Sequence, residues 1–241
     1  MAMTDQRTDD EQESRSVQSA ACLPDADALD QSVAARAWTY GWAISRRTEA
    51  PIQCAGYFRV FVGKPEQVTR YVLPHLDHEP LQRLVSEAVP GTWLKVCAAV
   101  ESVSPLLSSH WHIHDPEFLM STNLARSPGL AIEGYRLHTE QVGALALAKL
   151  VADTGELAAS GQAAIDGAFA TFDQIVTAET HRGKGLGRCI MAALSACALD
   201  RGATQGVLVA TEAGAALYQA LGWAMVTPVT AASVLPSADA A

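Results

Sequence analysis

Seven consecutive residues, Arg182-Gly183-Lys184-Gly185-Leu186-Gly187-Arg188, combine the types that could hold an anion. Glycines at alternate positions let backbone approach a ligand closely and permit dihedrals closed to other residues. A run rich in β formers, ending in Ile175-Val176-Thr177, leads into them, and helical spacing follows at Leu186, Ile190, Leu194 and Ala198. The stretch therefore reads as a strand, a glycine turn and a helix N-terminus. The first turn of a helix leaves N–H groups unpaired and carries partial positive charge, which suits a phosphate or pyrophosphate. Arg182, Lys184 and Arg188 add positive charge in an otherwise acidic chain. Without a ligand, the same residues are a glycine-rich connection carrying solvated basic side chains.

The spacing lacks the Gly-Lys-Ser/Thr ending of a nucleotide-triphosphate loop and is not the dinucleotide G-x-G-x-x-G. Arg182-x-x-Gly185-x-Gly187 instead resembles the R/Q-x-x-G-x-G/A loop of the GCN5-related N-acetyltransferases (GNAT). Downstream, Ala215-Ala216-Leu217-Tyr218-Gln219-Ala220-Leu221-Gly222-Trp223 is similar to the family's A-x-x-L-Y-x-x-x-G-F ending, with Trp for Phe. The resemblance covers about the last 100 residues. It implies acetyl-coenzyme A as co-substrate, with no metal. The amides of Gly183, Lys184, Gly185, Leu186, Gly187 and Arg188 would cradle the pyrophosphate, beside Arg182. Backbone groups of Ile175, Val176 and Thr177 would pair with the pantetheine arm. Thr211 stands where many relatives place a cofactor-contacting Asn, and Glu179 where a Pro is frequent. Neither Gly185 nor Gly187 should then tolerate a side chain.

Acetyl transfer from a thioester to an amine needs a deprotonated amine, a donor for the oxyanion and a proton for the sulfur. Tyr218 matches the family's tyrosine acid; the alternative is an ordinary helix tyrosine packed under the sheet. Asp173 is the ionisable side chain in Gly167–Thr177 and the candidate base, or else a structural carboxylate. Glu133 and His138, upstream, are reserves.

The elements that must position these groups begin with a tail. Residues 1–24 are rich in Asp, Glu, Gln, Ser and Thr and read as a disordered acidic tail. From Asp25, Leu29, Val33, Ala37, Trp38, Gly41 and Trp42 recur at helical spacing. Gln53–Val62 and Val68–Leu73 read as strands about a Gly63-Lys64-Pro65 turn, Leu81 to Val85 as a short helix, and Trp93–Val100 as a strand. His110-Trp111-His112-Ile113-His114 alternates with strand period, which puts three histidines on one face. That face is either a metal site or, the favoured reading, a polar outer face. Leu130–Leu137, Gln141–Ala152 and Leu157–Ile165 read as strands, the last two joined by an Asp153-Thr154-Gly155 turn. The Ala/Ser-rich end from Ala231 reads as a frayed terminus.

The expected fold is α/β (α+β): a mixed, largely antiparallel GNAT-like sheet flanked by helices. The regions are 25–125, α/β and on the acceptor side; 126–230, the acetyltransferase domain; and 231–241, a tail. The order of elements in 50–125 echoes a degenerate second GNAT-like half.

A net charge of −9 disfavours nucleic-acid partners, which select for a basic face. No apolar run approaches the roughly 20 residues that span a bilayer, and the N-terminus lacks a signal peptide's apolar core, so a cytoplasmic protein is expected, monomer or homodimer. Five scattered cysteines with no C-x-x-C pair argue against a disulfide framework or thiol catalysis. The expected activity is acetyl-CoA-dependent N-acetylation of a small-molecule amine by direct attack. A non-catalytic acyl-CoA sensor of the same fold, or a phosphate-binding protein of another class, are the alternatives.

Overall fold

The computed structural model describes residues 29–127 and 131–235, so the expected acidic tail and the last residues, 236–241, lie outside the described part. Helix α1 (Gln31–Arg46) starts where the Asp30 carboxylate accepts from Val33 N and ends at Arg47, which takes the left-handed conformation (φ 54°). Its apolar face, Ala34, Ala35, Trp38 and Trp42, is buried. Gly41 on that face lets the helix sit on the sheet: a Cβ there would fall 2.0 Å from Thr171 Oγ1. Thr171 in turn donates to Ala37 O (3.1 Å), which ties helix to sheet.

Strands β1 (Ile52–Cys54), β2 (Tyr57–Lys64) and β3 (Gln67–Leu73) form a meander, followed by α2 (His78–Ser86) and β4 (Thr92–Val96) parallel to β3. The single strand expected over Gln53–Val62 is a hairpin, because Gly56 at φ +83° turns the chain. The strand expected to reach Val100 stops at Val96, and Val100–Val103 is a short helix, α3. Next come β5 (Trp111–Ile113) and β6 (Glu117–Asn123). Strands β7 (Tyr135–Val142), β8 (Leu145–Ala152), β9 (Leu157–Asp166) and β10 (Phe169–Thr177) are antiparallel neighbours. The run expected as one strand from Gln141 is broken at Gly143 (φ +60°), and the strand expected from Leu130 starts at Tyr135. Helix α4 (Leu186–Asp200) then crosses to β11 (Gln205–Thr211), parallel to β10, followed by α5 (Glu212–Gln219) and β12 (Ala224–Val234).

The described residues make one mixed, mostly antiparallel sheet in the order β1-β2-β3-β4-β12-β6-β11-β10-β9-β8-β7, with β5 on β12. Two parallel pairs, β3 with β4 and β10 with β11, are each connected through a helix, and each second strand has an antiparallel neighbour beyond it. Those neighbours are exchanged. Strand β6 completes the C-terminal half beside β11, while the end of β12 runs between β4 and β5. The expected division at 125/126 therefore cuts the chain but not the sheet. The expected tail from Ala231 is corrected as well: Ala231 to Val234 are buried strand, because small side chains fit between two neighbouring strands. One apolar core lies under α4 and α5, another under α1, and a third under α2. Among the described residues, no helix is long and apolar enough to cross a membrane.

Candidate functional site

The two parallel pairs differ where it matters. Strands β3 and β4 stay paired from Thr69–Thr92 to Leu73–Val96, and Cys97 N extends the ladder to Leu73 O (2.9 Å). Strands β10 and β11 pair only from Phe169–Gln205 to Thr171–Val207, then diverge. At the divergence β10 carries a bulge between Asp173 and Val176, with Gln174 at φ 55°. The strands open just before the glycine loop, which leaves backbone groups of β10 and β11 without strand partners inside the wedge.

The loop is built as the spacing predicts. A 3₁₀ turn, Glu179–His181, precedes Arg182 to Gly185, and α4 begins at Leu186 with no side-chain cap, so its first amides are open to a ligand. They face a cavity of about 510 Å³ lined by Ile132, Thr177, Arg182 to Arg188, and Leu217. Gly183 (φ +75°) and Gly185 (φ +77°) need the left-handed region. Gly187 does not: a Cβ there would meet Leu217 Cδ2 at 3.4 Å, an ordinary contact. The free protein thus has room for a side chain at 187, and only ligand approach can exclude one. The residues present fit a pyrophosphate.

Sequence reading missed what braces this loop. Lys184 Nζ donates to Tyr135 Oη (3.0 Å), which also meets His181 Nδ1 (2.9 Å), while His181 Nε2 lies 3.6 Å from Glu156. Tyr135 is on β7, 49 residues from Lys184, so no local pattern could reveal the contact. Ile175 turns inward against Gly161, while Val176 is exposed. The side chain of Thr211 caps α5, accepting from Gly214 N (3.3 Å), which leaves its O–H free to donate.

Tyr218, on α5, is 9% exposed, and its hydroxyl has no hydrogen-bond partner among the described residues. Burial, helped by the negative charge of Asp173, pushes its pKa up to about 12, so the hydroxyl keeps its proton at any working pH. Trp223 is buried against it (6.0 Å between ring centroids) and edge-on to Phe172 (5.2 Å). Gly206 makes room for that indole.

Asp173 lies on the α1 face of the wedge but is fully engaged. Its Oδ2 accepts from Ser45 Oγ (2.5 Å) and Arg46 Nε (2.6 Å), and its Oδ1 from Arg46 Nη2 (2.9 Å) and Gln174 N (2.9 Å). A carboxylate offers about four lone-pair positions, so none is left to take a proton from an amine. This argues against the expected base role. His138 lies exposed on edge strand β7, with β8 and β9 between it and β10, and Glu133 precedes that strand. Strand β6 brings in a carboxylate that the spacing could not single out: Glu117, paired with Thr211 across the ladder, whose Oε2 accepts from buried Lys95.

Two of the three histidines meet, His112 edge-on to His114 (4.7 Å between ring centroids), and the third stands apart. His114 stacks on Trp93 (4.4 Å) and meets Ser233 Oγ (2.9 Å), while His110 sits by Ser108. Among the described residues, no three His, Cys, Asp or Glu side chains are grouped to hold a metal.

Comparison with known proteins agrees with this geometry. Residues 142–224 match the acetyltransferase (GNAT) domain family. The structure is similar to a GCN5-related N-acetyltransferase from Kribbella flavida (TM-score 0.63, 14% identity, covering 88% of this chain and 99% of that one). It is also similar to one from Sphaerobacter thermophilus (0.55, 12%, 76% and 78%). A tandem GNAT protein from the clavulanic acid biosynthesis pathway superposes at 0.50 with 14% identity, over 75% of this chain and 79% of that one. At such identities the likeness speaks for the fold alone. No curated protein matches the sequence.

Proposed function

We propose that the protein, whose residues 142–224 match the acetyltransferase (GNAT) domain family, transfers an acetyl group from acetyl-coenzyme A to the amine of a small molecule by direct attack. The observation that carries this reading is that an uncapped glycine loop and a strand wedge occur together in one half of the sheet. The other half has neither: its parallel strands stay paired, and the Asp77 carboxylate caps α2 where an anion would bind.

When bound, the co-substrate supplies an acyl group activated as a thioester. The amides from Gly183 to Arg188, with Arg182, hold its phosphates, and the open edge of β10 from Ile175 to Thr177 orients its arm. Tyr218 holds the proton that a departing thiol needs. Glu117, whose Oε1 takes no hydrogen bond among the described residues, accepts the proton from the amine. Asp173 instead locks α1 to the bulge of β10. Its saturation is the one observation that favours a second reading, a coenzyme A-binding sensor without turnover.

Isothermal titration with acetyl-coenzyme A and thiol release across an amine panel test the proposal. Tyr218→Phe should keep cofactor affinity and lower turnover by about 10²–10⁴, the worth of one positioned acid. Equal, slow thiol release by both proteins would favour the sensor. Absence of binding at millimolar acetyl-coenzyme A would overturn both readings.

A further inference from the structure

On the α1 face beside the wedge, five charged side chains form one cluster. Arg46 pairs with Asp173, and Lys95 pairs with Glu117. Arg70, on β3, completes it and has no carboxylate of its own among the described residues. It is only 8% exposed, and its guanidinium lies 3.7 Å above the Trp42 ring. Its hydrogen bonds go to the Gln67 amide, whose oxygen, in the orientation that satisfies both groups, is 2.7 Å from Nε and 3.0 Å from Nη2. A guanidinium has five N–H donors, so three are left without a partner among the described residues, free to meet a ligand. Burial lowers the Arg70 pKa to about 10, against the pull of Glu117 and Asp173, so it still carries its charge at neutral pH. Three cations thus face two anions, and the unmatched one is Arg70.

An uncompensated buried cation is costly to a fold, and an anion arriving with a ligand relieves that cost. The position of Arg70 says which ligand. Its guanidinium shares the Trp42 ring with that of Arg46, which lies 5.9 Å from the same centroid, and Arg46 in turn pairs with Asp173 at the bulge of β10; both Glu117 and Asp173 pull on the Arg70 charge. Arg70 therefore stands on the acceptor side of the wedge, within electrostatic reach of the group that would receive the amine proton. Its planar fork suits a carboxylate or phosphate held by two parallel hydrogen bonds. Resting on the acetyltransferase reading above, we propose that the acceptor carries an anionic group, carboxylate or phosphate, on the same small molecule as its amine, and that Arg70 receives this group while the amine faces Glu117.

The test uses matched acceptors with and without the acid: amino acids against their decarboxylated amines, and phosphoethanolamine against ethanolamine. Two readouts apply, thiol release and tryptophan fluorescence of the coenzyme A complex, since Trp42 lies against Arg70. The acid-bearing members of one pair should be favoured about 10–100-fold in kcat/KM, the worth of one charge-assisted hydrogen-bonded pair. Which pair responds separates carboxylate from phosphate. In Arg70→Met this preference should vanish through KM, with acetyl-coenzyme A affinity unchanged. If Arg70→Met fails to fold, the wild-type panel decides alone. Equal use of neutral amines by the wild type, or an undiminished preference in a folded Arg70→Met, would overturn the inference. So would a coenzyme A complex that binds no acid-bearing amine at millimolar concentration, and that result would leave the acetyl-coenzyme A reading standing. Failure to bind coenzyme A at all would remove both.

Discussion

Gly187→Ala separates a loop that cradles phosphate from one that merely turns. Gly187 is the second residue of α4 and lies outside the left-handed region. A Cβ there meets Leu217 Cδ2 at 3.4 Å and Thr177 Oγ1 at 3.8 Å, so the free protein has no steric objection. Helix propensity favours Ala over Gly by about 0.5–1 kcal/mol. For a chain of this size, that should raise Tm by roughly 1–4 °C. In the complex, the new methyl stands in front of the amides that hold the pyrophosphate. Losing one charge-assisted hydrogen bond, about 1.5–3 kcal/mol, should weaken acetyl-coenzyme A roughly 10–150-fold. Stability and affinity thus move in opposite directions. Gly185→Ala is the control: at φ +77° the substitution costs about 1–2 kcal/mol of backbone strain in the free protein and lowers both. Thermal melts and isothermal titration read the two quantities. A Gly187→Ala protein that keeps acetyl-coenzyme A affinity to within about twofold would refute the cradle.

Glu117→Gln should leave Lys95 buried without its counterion, costing on the order of 3 kcal/mol. The Lys95 pKa in the fold is about 8 against an ordinary 10.5, lowered by burial and partly supported by Glu117. Because the folded value is depressed, wild-type stability associated with Lys95 is present above pH 10.5 and declines as pH falls to about 8. Without Glu117 that decline should continue below 8, so the deficit of the variant shrinks as pH rises to about 8 and is constant above; melts showing a deficit independent of pH below 8 would refute this. Gly41→Ala would place a methyl 2.3 Å from Thr171 Cβ, pushing α1 away and costing about 1–3 kcal/mol despite better helix propensity. Turnover should fall with it, since Ser45 and Arg46 ride on the same helix, and Thr171→Gly should restore part of the stability in a double-mutant cycle.

What the sequence determined by itself is local. The glycine loop and the apolar stripe Leu186, Ile190, Leu194 and Ala198 follow from turn chemistry and period, and the structure has both at those positions. The Asp153-Thr154-Gly155 turn likewise sets β8 against β9, because a tight turn leaves few registers open. Only tertiary structure decided the rest. The exchange of β6 and β12 is written in no period, since a strand's pattern names its buried face and not its partner. The small residues Ala231 to Ser233 read as a tail and became strand once β4 and β5 supplied ladders on both sides. Asp173 is the sharpest case. Its type and place were visible, but the Ser45 and Arg46 donors that engage it come from 128 and 127 residues away. Arg70, Lys95 and Glu117 are unremarkable charges in the chain; they become a site because three strands and α1 carry them out of water together, where an unmatched charge has consequences.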